Sequence, residues 1–102
     1  MTIPKKVKIG ESEYSVKRTR FVGGKNWSGF INYHDRKIKI KPGYSEREEE
    51  DVFFHEIAHG ILKEMEFNHP QINKFRGDEQ FIQELGLLIR KTFKSLNEEK
   101  KP

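Results

Sequence analysis

The sequence predicts one α+β domain, in which a small antiparallel β-sheet is followed by two helices. Two patterns support this fold class. Short segments between residues 5 and 41 alternate apolar and charged side chains and are separated by turn-forming residues, which is typical of strands. From residue 46 onward, apolar residues instead recur every three or four positions, which is typical of helices. A length of 102 residues allows one modest hydrophobic core and leaves no room for a second module.

Four strands are predicted, arranged as two hairpins. Residues 6–17 alternate on either side of one turn, and residues 31–41 alternate on either side of another at His34 and Asp35. If the last strand lies at a sheet edge, its free backbone groups can pair with an extended peptide. The alternative is an edge protected by its own lysines.

The connection between the two hairpins is predicted to be irregular. Residues 21–30 contain three glycines together with Asn26 and Ser28, and these residues favour loops over regular strands. Trp27 lies within this segment. We expect it to anchor the loop by packing, and the alternative is a lid over a binding site.

Two helices are predicted after the sheet. Ser45 and Glu48 form a candidate capping box, so the first helix should begin at about residue 46 and end at about residue 66. Its core-facing stripe consists of Phe54, Ile57, Ala58, Ile61 and Met65. Pro70 interrupts the pattern, and a second helix is expected from about residue 78 to about residue 96. Its predicted core-facing stripe consists of Phe81, Ile82, Leu85, Leu88, Ile89, Phe93 and Leu96.

The first helix carries the motif HExxH, formed by His55, Glu56 and His59. A helix advances about 100° per residue, so the two histidines lie on one face, one turn apart, and can bind one metal ion. Glu56 points in a different direction and can act on a water molecule at the metal. Two neutral imidazoles that hold Zn²⁺ and a carboxylate that takes a proton from water are the parts of a zinc peptidase. The alternative is a pair of ordinary histidines at the border of the core.

A catalytic zinc ion needs a third protein ligand besides the two histidines. The candidates are His69 in the connection between the helices and three acidic residues of the second helix, Asp78, Glu79 and Glu84. Glu79 shares its flank of the helix with Gly86, which would permit a close approach of the two backbones. Spacing alone leaves the choice among these four residues open.

The motif HEIAHG, followed by a helix that reads EQFIQELG from Glu79 to Gly86, resembles the ImmA/IrrE family of metallopeptidases. The opening segment IPKKVKIG also resembles that of small members encoded by phages and mobile elements. The resemblance implies a minimal zincin-like domain with zinc on His55, His59 and Glu79, and with Glu56 as the general base. Family members relieve phage or stress repression by cleaving a DNA-binding repressor, so the resemblance implies a protein substrate of that kind.

Charge and composition limit the cellular location and the binding partners that can be expected for this chain. Residues 1–44 carry 11 Lys and Arg against 3 Asp and Glu, although the net charge of the whole chain is only +4. Because these basic residues are dispersed along predicted strands, we expect a solvated sheet surface, and the alternative is attraction to nucleic acid or to an acidic protein segment. There is no cysteine, no transmembrane segment is evident, and residues 1–10 lack the apolar core of a signal peptide. A cytoplasmic protein without membrane contact is therefore expected.

The sequence thus predicts a zinc-dependent endopeptidase that acts on a protein. Two rival functions are a metal-binding protein without turnover, in which Glu56 is dispensable, and a basic nucleic-acid-binding module in which HExxH is incidental. The second rival predicts strongly salt-dependent binding and indifference to chelators.

Overall fold

A computed structural model describes residues 1–24, 26–43 and 45–99. The chain forms strands β1 (Lys6–Ile9), β2 (Ser12–Arg18), β3 (Gly29–Asn32) and β4 (Lys37–Ile40), then helix α1 (Glu46–Glu66), a 3-10 helix (Pro70–Phe75) and helix α2 (Glu79–Glu99). This order of elements confirms the predicted α+β fold class. Both helices lie within a few residues of their predicted bounds.

The four strands form one sheet in the order β1-β2-β4-β3. The two hairpins, β1-β2 and β3-β4, are antiparallel as expected, but β2 and β4 pair in parallel, with Val16 opposite Ile38. The sheet is therefore mixed and not antiparallel throughout. The reason is the long connection after β2, which carries the chain past one strand position so that β4 returns between β2 and β3.

The strand order also decides which strands have a free edge. The edges are β1 and β3, whereas β4 is paired on both sides. The expectation that the last strand could accept a peptide as an edge strand is therefore wrong for β4. The free edge on that side of the sheet belongs to β3, which is also the edge closest to the HExxH helix.

One face of the sheet packs against α1 and forms the main core. Its buried side chains alternate along the strands and interlock with the inner face of the helix, and they include Tyr14, Ile31, Ile38, Ile40, Phe53, Phe54 and Ile57. Helix α2 packs mainly against α1, with Ile82 fully buried between them beside Ala58 and Leu62. The opposite face of the sheet is covered by neither helix.

Each of the two α-helices is capped at its start by a polar side chain. The hydroxyl of Ser45 accepts a hydrogen bond from the backbone N–H of Glu48 at 3.2 Å, as the capping box predicts. At the start of α2, the Asp78 carboxylate accepts from the backbone N–H of Phe81 at 3.0 Å. Asp78 is therefore engaged as a helix cap.

The predicted core stripe of α2 is only partly buried. Leu88 and Leu96 are 55% and 57% exposed, and Phe81 and Phe93 are also exposed. Met65 of the predicted α1 stripe is 40% exposed. The apolar stripe of α2 is wider than the surface that α1 and the 3-10 helix cover, and among the described residues no further layer packs on the rest of it.

Candidate metal centre

The two motif histidines lie on the side of α1 that faces α2. Their rings are one helical turn apart, with centroids 5.0 Å from each other, and their side chains are 19% and 14% exposed. Both rings thus border the core and remain open to a ligand, as the motif predicts. Burial is the main cause that lowers the pKa of His59, and this favours the neutral imidazole that a metal ion requires.

Glu79 lies in the first turn of α2 and points at both histidines. Its Oε2 atom is 3.0 Å from Nε2 of His55, and its Oε1 atom is 3.5 Å from Nε2 of His59. Gly86, two turns further along α2, allows this approach: a Cβ atom there would lie 3.0 Å from the carbonyl oxygen of Phe54 and 3.1 Å from backbone atoms of His55. The contact predicted from Gly86 is therefore present at the HExxH motif itself.

The spacing of these atoms fits a tetrahedral zinc ion. Two ligands that are each about 2.0–2.1 Å from zinc lie about 3.3–3.4 Å apart when the geometry is tetrahedral. The two separations, 3.0 and 3.5 Å, bracket this distance, and the three ligand atoms all lie within 4.8 Å of one another. Two imidazoles and one carboxylate form a donor set typical of catalytic zinc.

The other proposed third ligands lie outside this group. Asp78 caps α2, and neither Glu84 nor His69 belongs to any cluster of metal-binding side chains within the described ranges. The structure therefore brings His55 and His59 together with Glu79 alone. This is the ligand set that the family resemblance implies.

Gln83 contributes a contact that sequence reasoning missed. Its side-chain oxygen lies 2.9 Å from Nδ1 of His55, and since an amide oxygen can only accept, this nitrogen must carry the proton. In the neutral ring, Nε2 then presents a lone pair toward the carboxylate of Glu79. Two acceptors that face each other at 3.0 Å require a cation or a proton between them. The signal was the i, i+4 spacing of Glu79 and Gln83, which places both side chains on one face of α2.

Glu56 occupies a different position from the three ligands. It is 7% exposed and lies against β3, where Gly29 makes room: a Cβ atom on this glycine would lie 2.6 Å from Val52 and 3.0 Å from Oε2 of Glu56. Burial, followed by the negative charge of Glu79, raises the pKa of Glu56 to about 8. A cation held by Glu79 and the histidines would favour the ionised carboxylate and so lower this pKa.

These residues open into one pocket of about 710 Å³. The floor is formed by the HExxH face of α1, one side by the start of α2, and the other side by β3 with the preceding Trp27. Trp27 stacks on Phe30, with ring centroids 5.5 Å apart, so it anchors the loop as expected, and it is also 49% exposed at the rim. Tyr33, directly after β3, also lines the pocket, and burial raises the pKa of its phenol.

In comparisons with known proteins, the chain matches no family model, no curated protein and no solved structure. None of the helices in the described residues is long and apolar enough to span a membrane.

Proposed function

We propose that this chain is a zinc-dependent endopeptidase that hydrolyses a peptide bond in a protein substrate. One observation carries the proposal: His55, His59 and Glu79 converge with the spacing of a zinc site, while the Glu56 carboxylate lines the same pocket and stays outside the ligand group. A site that only stores metal has no need of a buried carboxylate beside its ligands. A hydrolase needs one to take a proton from water.

Zinc bound at this site would polarise the scissile carbonyl and lower the pKa of water to about 7. The protein residues supply the other parts of the reaction. Glu56 accepts the proton of the attacking water and later donates it to the leaving amine. Gln83 fixes the tautomer and the ring orientation of His55, as outer residues of metal sites commonly do.

The free edge of β3 is the proposed docking site for the substrate backbone. β3 lines the pocket next to Glu56 and is unpaired on the side away from β4. An extended segment that adds to this edge gains backbone hydrogen bonds independent of its sequence, and its side chains fall alternately toward and away from the pocket. This arrangement favours an extended segment of a protein over a small molecule as the substrate.

The family resemblance proposes the class of protein, a DNA-binding repressor from the same phage or mobile element. The test is to co-express such candidate repressors with the wild-type chain, with Glu56→Gln and with Glu84→Gln, and to look for repressor fragments. Glu84 is an exposed residue of α2 outside the ligand group and provides the matched control.

Cleavage by the wild type and the Glu84→Gln control, but not by Glu56→Gln, is the expected result. Equal cleavage by all three forms would remove Glu56 from the mechanism. Relief of repression by all three forms without any fragment would favour a metal-binding protein that acts through its partner.

A further inference from the structure

The outer face of the sheet, opposite to α1, carries five lysines and one glutamate. Because side chains alternate along strands, the inward set is apolar, and the outward set contains Lys6, Lys8, Glu13, Lys17, Lys37 and Lys39. In the sequence these lysines are dispersed over more than thirty positions. The strand order β1-β2-β4-β3 places them side by side.

The parallel pairing of β2 with β4 creates the densest part of this surface. Lys17 lies directly opposite Lys39, and Lys37 lies opposite Ser15 on the same face. Like charges that face each other across two strands are destabilising. Glu13 lies opposite Lys8 and offsets part of this charge, but across the described residues none of the five lysines forms an ion pair, so the face keeps a net positive charge.

An aromatic pair adjoins these lysines. Phe30 lies on the outer face of β3 opposite Lys39, and Trp27 stacks on it with an angle of 17° between the rings. The indole of Trp27 is held in place by the loop, since a Cβ atom at Gly24 would lie 2.4 Å from its Cδ2 atom. Even so, Trp27 is 49% exposed, so a rigid aromatic surface borders the basic one.

We propose that this face, formed by the five lysines and the Trp27–Phe30 pair, binds single-stranded nucleic acid. Lysines along a groove or sheet contact successive phosphates, and aromatic side chains pack against bases that are not stacked in a duplex. An acidic peptide would use the lysines but has no bases to pack against the aromatic pair. A duplex offers no unstacked bases, and the flat sheet presents no helix or ribbon that could enter a major groove.

The test is a titration of a fluorescein-labelled single-stranded 20-mer with the full chain, followed by anisotropy at about 50 and 200 mM salt. If all five lysines contact phosphates, the affinity should fall about a hundredfold between these salt concentrations. In Lys17→Gln/Lys39→Gln, the slope of log affinity against log salt should be shallower by about 1.4. The matched control is Lys74→Gln/Lys91→Gln, which removes the same charge from exposed lysines outside the sheet and should leave the slope unchanged.

Trp27 provides a second readout, because it is the only tryptophan of the chain. We expect the oligonucleotide to quench its fluorescence, and Trp27→Ala to weaken binding at least about fivefold. Heparin and poly-glutamate, which have charge but no bases, should leave the fluorescence unchanged.

Four outcomes would overturn the proposal. These are no binding at 50 mM salt, equal loss of slope in both double variants, binding without any change in Trp27 fluorescence, and quenching by vesicles with anionic lipid but not by the oligonucleotide. The last result would assign the surface to a membrane. Both double variants leave the residues of the peptidase pocket intact, whereas Trp27→Ala changes a residue at its rim and is therefore read out only by oligonucleotide binding.

Discussion

Replacing Glu56 with Gln should stabilise the metal-free protein at alkaline pH, although it removes the proposed general base. In the folded chain, burial raises the pKa of Glu56 from 4.5 to about 8. A group with a raised pKa in the folded state contributes stability that is fully present below its unfolded pKa and is lost as the pH rises through its folded pKa. The wild type should therefore lose stability between about pH 4.5 and pH 8.

The size of this effect follows from the shift itself. The difference between 4.5 and about 8, at about 1.4 kcal/mol per pH unit, corresponds to a loss of up to about 5 kcal/mol in the free energy of unfolding. Water that reaches the carboxylate would reduce this loss. Gln has nearly the same shape and no charge to desolvate, so the Glu56→Gln variant should not show it.

The assay is urea unfolding in the presence of a chelator at several values between pH 5 and pH 9. Glu56→Gln and wild type should be similar in stability at pH 5 and should differ by several kcal/mol at pH 9. Glu84→Gln, at an exposed position, should follow the wild type throughout. Identical pH dependence of wild type and Glu56→Gln would refute the reasoning, because it would show that the carboxylate is not held in a desolvated site.

Three further predictions concern the metal ligands and the residue that holds one of them in place. His55→Ala and His59→Ala should each abolish tight zinc binding and remove the rise in melting temperature that zinc gives the wild type, and unchanged metal content by mass spectrometry would contradict the ligand set. Glu79→Ala should weaken zinc binding far more than Glu84→Ala in a chelator competition assay, and the reverse order would exclude Glu79 as the third ligand. Gln83→Ala should weaken zinc binding by roughly 10- to 100-fold, with Gln80→Ala as the matched control, and equal affinities would show that the Gln83 contact is incidental.

Local sequence signals predicted the helices and the arrangement of the histidines. The Ser45 cap and the acidic first turn fixed the start of α1, and helical spacing alone places His55 and His59 on one face. Glu79 could be preferred over the other candidate third ligands only because it shares a side of the helix with Gly86 and because of the family resemblance. The spacing of residues within one helix does not show how a second helix packs against it. The contact of Gly86 with the backbone of Phe54 and His55 is what fixes α2 against the HExxH turn of α1.

The properties that the sequence did not predict depend on long-range packing. No local pattern distinguishes a parallel from an antiparallel pairing of β2 and β4, and so the placement of Lys17 directly opposite Lys39 was not foreseen. Apolar periodicity likewise predicted buried positions for Leu88 and Leu96, which are exposed because, in the described structure, the elements that pack against α2 leave this part of its apolar side uncovered. Periodicity indicates which side of a helix is apolar, whereas the neighbours decide how much of that side is covered.

The central claim is that Glu56 performs chemistry beside a zinc site held by other residues. The most direct test is the rate at which purified, zinc-loaded protein cleaves a substrate repressor. Wild type and Glu56→Gln should contain the same amount of zinc, about one ion per chain, and the variant should cleave at least about 10²-fold more slowly. Equal cleavage rates at equal zinc content, or a wild type that cleaves without bound metal, would contradict the account.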